Sequence, residues 1–279
     1  MKKIVLTGAA GRLGSYLREP LTMMADTLIS TDLVDDIGHL YKGEQYVKAD
    51  LSHLEQMESV LKGADMVVHF GAIGDEAPFD EILGPNIIGA YNVWEAAHRN
   101  GVRRVVYASS VHAVGMHSKR DCIGTDAPHR PDTFYGLAKC FAEDLGSLYW
   151  DKRGVESVCM RIFSCAQVNN SRALGTWLSY DDLIHLVQQS ITTPVTGFTV
   201  VYGISNNDRA VVDNTKARFL GYRPQDNAEQ FAQEVLANTP ILDHSDPEHT
   251  CIGGPFSVVD IGQSGLATMN VVDDTKRID

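Results

Sequence analysis

The sequence predicts an α/β fold, a doubly wound parallel sheet followed by a small C-terminal lobe. Two observations carry this reading. A glycine-rich turn, Gly8-Ala9-Ala10-Gly11-Arg12-Leu13-Gly14, lies between a short apolar run and a helix-forming stretch at the start of the chain. Beyond it, short apolar runs alternate with helical stretches as far as Ile162, and small or acidic residues stand at the ends of those runs.

Residues 4–7 are an apolar run suited to a buried strand. Ser15-Tyr16-Leu17-Arg18-Glu19, after the turn, is helical in composition. Strand, glycine turn and helix in this order form the setting of a dinucleotide fingerprint. Gly8 permits the tight turn, Gly11 lets the backbone approach a pyrophosphate, and Gly14 lets the helix pack against the strand. The helix N-terminus then offers N–H groups to the phosphates. Residues 27–31 read as the second strand, with Asp32 at its end. An acidic residue about 20 positions after the glycines accepts hydrogen bonds from the adenosine ribose and repels a 2′-phosphate, so NAD is expected over NADP. Arg12 is the counter-signal, because an arginine in this loop can reach a 2′-phosphate.

Residues 45–50 read as a third strand ending at Asp50, which either faces the adenine or caps the next helix near Ser52. Residues 65–70 read as a fourth, with Gly71-Ala72 after Phe70 where a sheet would meet the cofactor. A helical stretch over 79–99 contains Asn86 and Asn92, and a fifth strand over 103–108 leads into Ser109-Ser110. A helix running to about Arg153 and a sixth strand over 156–162 complete the alternation. Ligands in such sheets bind beyond the carboxyl ends of the strands, so Gly8, Asp32, Gly71, Ser110 and Ser164 are expected around one crevice. After Ser164 the pattern is mixed: helix over 181–192, strand over 199–203, helix over 227–237, then a polar stretch from His244 read as a tail or an oligomer arm. The expected division is a cofactor domain over residues 1–165 and a small substrate lobe over 166–279, packed as one unit.

Tyr135 and Lys139 are the chemical core of the reading. A spacing of four puts both on one face of a helix, one turn apart. A phenol ordinarily loses its proton near pH ~10. A nearby ammonium favours the phenolate, and the pair then forms a proton-accepting base.

Composition narrows the class. The formal net charge of −12 argues against general affinity for nucleic acid or anionic membrane. No apolar run is long enough to span a bilayer. Met1-Lys2-Lys3 leads directly into the first strand, so no signal peptide and a cytoplasmic location are expected. The five cysteines, Cys122, Cys140, Cys159, Cys165 and Cys251, have no paired spacing, and they read as reduced thiols without disulfide or zinc roles.

Thr7 to Gly14, Ser110 and the Tyr135–Lys139 pair, in this order, resemble the short-chain dehydrogenase/reductase superfamily in its extended, NAD-dependent epimerase/dehydratase branch, with its Rossmann fold. A narrower resemblance is to the NAD-dependent uronate dehydrogenases. It runs through Pro78-Phe79, Ile82-Leu83, Asn86-Ile87-Ile88-Gly89, Ser109-Ser110, Tyr135-Gly136, Lys139-Cys140-Phe141, Arg161-Ile162 and Ser164-Cys165. It continues through Asn169-Asn170, Arg172, Thr176-Trp177 and Asp181-Asp182. The resemblance implies NAD-dependent oxidation of the anomeric hydroxyl of a free sugar acid, such as D-glucuronate or D-galacturonate, to a lactone, in a homo-oligomer. Tyr135 would take the C1 hydroxyl proton, Ser110 would orient the same oxygen, and Lys139 would lower the Tyr135 pKa and bind the nicotinamide ribose. Cofactor contacts would come from Gly8, Ala10, Gly11, Arg12, Leu13, Gly14, Asp32, Asp50, Leu51, Phe70, Gly71, Ala72, Asn86, Ser109, Tyr135, Lys139 and Ile162.

Arg172 matches the arginine that binds the sugar carboxylate, and its guanidinium fork suits a carboxylate. Ser164 would add a hydroxyl contact. The chain departs from the family pattern at Gly74, where the family has Ser, and at Val111, where it has Asn. Asp75 and His112 are the polar neighbours placed to compensate. Dehydrogenation of a neutral or modified aldose is an alternative, as is a nucleotide-sugar epimerase or dehydratase, although the lobe after Ser164 is compact for a nucleotide. A non-catalytic NAD-binding regulator would not need the full Ser110, Tyr135 and Lys139 set.

Overall fold

The computed structural model describes residues 1–268 of the chain. Strands and helices alternate as β1 (Lys3–Thr7), α1 (Arg12–Thr22), β2 (Thr27–Asp32), β3 (Glu44–Lys48), α2 (Leu54–Val60), β4 (Met66–His69), α3 (Phe79–Ile82), α4 (Gly89–Arg99), β5 (Arg104–Ser110), α5 (Phe134–Arg153) and β6 (Glu156–Ile162). Then follow α6 (Ala173–Thr176), α7 (Tyr180–Thr192), β7 (Phe198–Gly203), α8 (Ala232–Ala237) and α9 (Pro247–Thr250). Among the described residues the strands form one parallel sheet in the order β3-β2-β1-β4-β5-β6-β7. The strand order reverses beside β1, between β2 and β4, and that is where a doubly wound sheet opens its ligand crevice. β7 comes from the expected second lobe yet pairs with β6, so the chain beyond residue 165 completes the sheet.

Alternation along each strand fills both faces. Ile4, Leu6, Met66, Val68, Val106, Val158 and Met160 pack under α1 and α7. Val5, Ile29, Val67, Val105, Tyr107 and Cys159 pack on the other side with residues of α2, α4 and α5. The helical stretch expected over 79–99 is continuous but not uniform: α3 and α4 are joined by a π-helical segment, Leu83–Ile88. Pro85 lies inside it, where the missing N–H and the ring disfavour regular α-helix. Helix α5, which carries Tyr135 and Lys139, is well delimited. The Thr133 hydroxyl accepts from the Gly136 N–H at 3.0 Å at its start, and Gly154 ends it in the left-handed region at φ 70°.

Two glycines of the first turn have separate reasons. Gly8 has φ 73°, and a Cβ on it would collide with the Gly71 backbone. A Cβ on Gly14 would overlap the Gly8 carbonyl oxygen, so α1 rests directly on the turn. Gly14→Ala therefore has to displace backbone. The expected result is destabilisation by about 1–3 kcal/mol together with at least tenfold weaker NAD binding, read by thermal unfolding and cofactor titration. Unchanged binding and stability would show that the close approach is not required.

Candidate active site

A cleft of about 440 Å³ opens at the carboxyl ends of the strands. Eighteen of the expected residues are in its wall: Gly8, Gly11, Arg12, Leu13, Gly14, Phe70, Ala72, Gly74, Asp75, Ser109, Ser110, Val111, His112, Tyr135, Lys139, Ile162, Ser164 and Arg172. Ala10, Asp32, Asp50, Leu51, Gly71 and Asn86 are outside that lining.

The turn fits a dinucleotide. Gly11 caps α1 with no side-chain hydrogen bond, and the first turn of the helix carries no acidic residue that would repel a phosphate. A Cβ on Gly11 would meet only the Gly8 carbonyl, at 3.2 Å. Asp32 accepts from the Ala10 N–H at 2.9 Å and from the Leu33 N–H at 2.7 Å, so it braces the turn from the end of β2 while keeping lone pairs for further donors. Arg12 donates to the Cys165 carbonyl and, at 3.1 Å, to the Tyr180 hydroxyl. It ties the turn to the chain after β6, which removes the reason to read it as a 2′-phosphate ligand.

Four expected contacts have other work. Asn86 receives the Ile73 N–H and donates to the Ile73 carbonyl, both at 2.9 Å, so its amide clamps the loop after β4. Asp50 accepts from the Ser52 N–H at 2.8 Å in a tight turn before α2, whose N-cap is His53 and carries no side-chain cap. Ser109 donates to Glu143 at 2.5 Å, turning its hydroxyl into the core. Asp75, expected to meet the sugar, accepts from the Gly265 and Leu266 N–H groups and from the Ser264 hydroxyl.

Asp75 and Glu76 together correct the reading of the C-terminal stretch as a tail or arm. Glu76 is buried and accepts from the Gly262 N–H and from the Tyr135 N–H, each at 2.8 Å. The adjacent carboxylates thus hold the chain around 262–266 across the cleft and join it to the first turn of α5. Gly253, Phe256 and Leu266 become cleft wall. No local pattern marks them, because their place depends on contacts with residues nearly two hundred positions earlier. Residues 269–279 lie outside the described chain.

Tyr135 is 9% exposed and Lys139 3%. Burial pushes the Tyr135 phenol up to about 12, with a hydrogen bond from Ser110 acting the other way and Asp132 and Asp75 adding to the rise. Burial pushes Lys139 down to about 7, opposed by Glu143 and Cys159. Lys139 Nζ donates to the Ala108 carbonyl at 2.7 Å and lies 4.7 Å from the Tyr107 ring centroid and 5.3 Å from that of Tyr135. The Lys139 amino group therefore stands against the ring of Tyr135, while burial sets the direction of the Tyr135 shift and Ser110, not Lys139, acts against it. Ser110 also accepts from the His112 N–H at 3.3 Å, capping the short turn after β5.

The far wall is built around Arg172. Its guanidinium donates to the Ser164 hydroxyl at 2.8 Å and to the Ile252 carbonyl at 3.2 Å, while its Nε is buried without a partner. Burial lowers its pKa to about 10, with Asp132 opposing, and no carboxylate pairs with it among the described residues. His112 Nδ1 is 2.8 Å from Asp132 Oδ2, and its ring stacks on Phe256 at 3.9 Å, leaving Nε2 as the ring atom free to serve the cleft. Val111 is 2% exposed, packed with Val114, Phe163 and Ile204, so its side chain belongs mainly to the core. Gly74 borders open space, with nothing within 4 Å of where a Cβ would stand.

Beneath the site, Arg161 on β6 holds Glu143 on α5 at 2.8 and 3.0 Å, one helical turn after Lys139. Burial disfavours the Glu143 carboxylate, but hydrogen bonds from His129 and Arg161 outweigh it and hold the pKa below the usual range. This pair locks α5 to the sheet. The sequence reading missed it, although Glu143 follows Lys139 by one turn on the same helical face.

The sequence model of the NAD dependent epimerase/dehydratase family matches residues 4–171. The chain is 42% identical over 257 residues to a uronate dehydrogenase of Pseudomonas putida, covering 92% of this chain and 96% of that protein. It is equally 42% identical over 257 residues to a uronate dehydrogenase of Agrobacterium fabrum, covering 92% and 97%. A crystal structure of a mutant uronate dehydrogenase from Agrobacterium tumefaciens complexed with NAD superposes with TM-score 0.89 at 41% identity, covering 94% of this chain and 98% of that one.

Proposed function

The chain belongs to the NAD dependent epimerase/dehydratase family, and from that premise we propose that it oxidises the anomeric hydroxyl of a free hexuronic acid, such as D-glucuronate or D-galacturonate, to its lactone with NAD. One observation carries the substrate class: Arg172, a guanidinium with no carboxylate partner among the described residues, faces the same cleft as Tyr135 and Ser110. A neutral sugar would leave that partly buried cation without a counter-charge, whereas a carboxylate satisfies it with charge-assisted hydrogen bonds.

NAD, when bound, supplies the hydride acceptor for the C1 hydrogen. The glycine turn and the α1 N-terminus suit its pyrophosphate, and Asp32 suits its adenosine ribose. Tyr135 Oη takes the proton of the C1 hydroxyl as C1 becomes the lactone carbonyl, so the carbon loses a hydride and the oxygen a proton. Ser110, in the same wall as Tyr135, holds the same substrate oxygen and acts to lower the Tyr135 pKa. Lys139, anchored on the Ala108 carbonyl, fixes the Tyr135 ring against the strand end. His112 Nε2 and Ser164 offer hydrogen bonds to ring hydroxyls, and Phe256, stacked on His112, holds that imidazole in place. The open space at Gly74 accommodates a substituent where a larger residue would stand.

The test is an NADH-absorbance screen of free aldoses against their uronic acids, run with NAD and with NADP. Uronic acids are expected to exceed the parent aldoses by at least about tenfold in kcat/KM, in line with one charged pair, and NAD to exceed NADP. Equal rates with neutral aldoses would overturn the assignment of Arg172. A preference for NADP would overturn that of Asp32.

A further inference from the structure

Beside the catalytic cleft lies a second cavity of about 460 Å³, and Arg172 stands in the wall of both. Lys119 and Arg209 line it, together with the amide side chains Asn169, Asn170 and Asn238. Arg209 is balanced at the exposed rim by Glu229, at 2.7 and 2.9 Å. Lys119 and Arg172 are not balanced. Neither has a carboxylate ion-pair partner among the described residues. The Lys119 ammonium donates to the carbonyls of Glu248 at 3.4 Å and His249 at 3.1 Å, which uses two of its three N–H groups. Arg172 keeps its buried Nε without a partner.

Lys119 and Arg172 are both partly buried in this wall, and Glu248, the carboxylate that also lines it, makes no ion pair with either, which is an unfavourable arrangement for two neighbouring cations. Burial lowers Lys119 to about 8. Repulsion from Arg172 lowers it further and outranks the opposing influence of Glu248. The proposed uronate carboxylate neutralises Arg172 from the catalytic side. It does nothing for Lys119.

We infer that the second cavity is a binding site for a small oxyanion, a carboxylate or phosphate group, held by Lys119 and the neighbouring amides outside the catalytic cleft. The bound anion pairs directly with Lys119, which Glu248 in the same wall does not, and the amides and the spare Lys119 N–H supply donors. Two sources have this chemistry: a free anion, or an acidic substituent on a longer substrate whose reducing end lies in the cleft.

The experiment titrates inorganic phosphate and, separately, tartrate into the NAD-loaded protein by calorimetry, with wild type, Lys119→Gln and Lys119→Arg. Wild type is expected to bind at least one probe saturably, Lys119→Gln to bind it at least about tenfold more weakly, and Lys119→Arg to recover most of the affinity. No saturable binding of either probe, or equal affinity in wild type and Lys119→Gln, overturns the site. Binding is read as heat, so failure of the uronate reading leaves this result standing. A second arm compares a uronic acid with its 4-O-linked dimer. A KM rise in Lys119→Gln confined to the dimer assigns the anion to the substrate, and equal KM values in wild type and variant for both sugars assign it to a free ligand.

Discussion

Tyr135→Phe is expected to lower kcat by about 10³-fold, within the range for loss of a positioned general base, while NAD affinity stays within about twofold, since the removed hydroxyl faces the reacting oxygen and not the glycine turn. The pH profile identifies the role more firmly than the loss alone. A general base acts in its deprotonated form, and burial places the Tyr135 phenol at about 12. The reactive fraction therefore grows as pH rises, and wild-type kcat/KM should climb between about pH 6 and pH 9, below the tyrosine pKa. The residual rate of Tyr135→Phe should lose that slope. A variant that keeps the slope, or turns over like wild type, would remove Tyr135 from the proton-transfer step.

Arg172→Met is expected to raise the uronate KM by about 10²-fold or more, equivalent to about 3 kcal/mol for a desolvated charge pair. KM for a neutral aldose should change little. The stability readout separates recognition from folding. Burial depresses the Arg172 pKa to about 10, below its unfolded value, so the folded state disfavours the cation at every pH below that value and this penalty fades as pH rises through it. Methionine removes the penalty but gives up the bonds to Ser164 and Ile252. The thermal midpoint at neutral pH should accordingly fall by no more than about 4 °C, the equivalent of about 1 kcal/mol in a chain of this size. A large fall in midpoint with equal KM losses for acid and neutral sugars would make Arg172 a structural residue and leave the carboxylate without its clamp.

Much of the site was legible because its signals are local. The turn between β1 and α1 needs glycine where the backbone is left-handed at Gly8 and where α1 touches the turn at Gly14, and both needs show as chain-adjacent residues. Tyr135 and Lys139 are read from helical spacing together with the glycine turn, Asp32 and Ser110. Asp32 follows from its position at a strand end. The same local reasoning did not reveal the remote partners of other expected residues. Asn86 is aimed at Ile73 through the π-helical segment, which the periodicity of 79–99 does not reveal. Asp75 is claimed by backbone N–H groups of Gly265 and Leu266, and Ser109 by Glu143. The direction of the Tyr135 and Lys139 pKa shifts was equally out of reach, since it depends on how deeply both are buried.

By itself the sequence determined the doubly wound parallel sheet, the dinucleotide turn and the Ser110, Tyr135 and Lys139 set, because short-range sterics, capping and helical period write themselves into neighbouring residues. Only the tertiary structure decided that the chain around 253–266 walls the cleft, that β7 extends the sheet beside β6, and that Arg172 stands in the wall of two cavities, one of which it shares with Lys119. These features rest on contacts between residues far apart in the chain, and burial and net local charge are properties of that assembled surrounding, which no stretch of sequence contains.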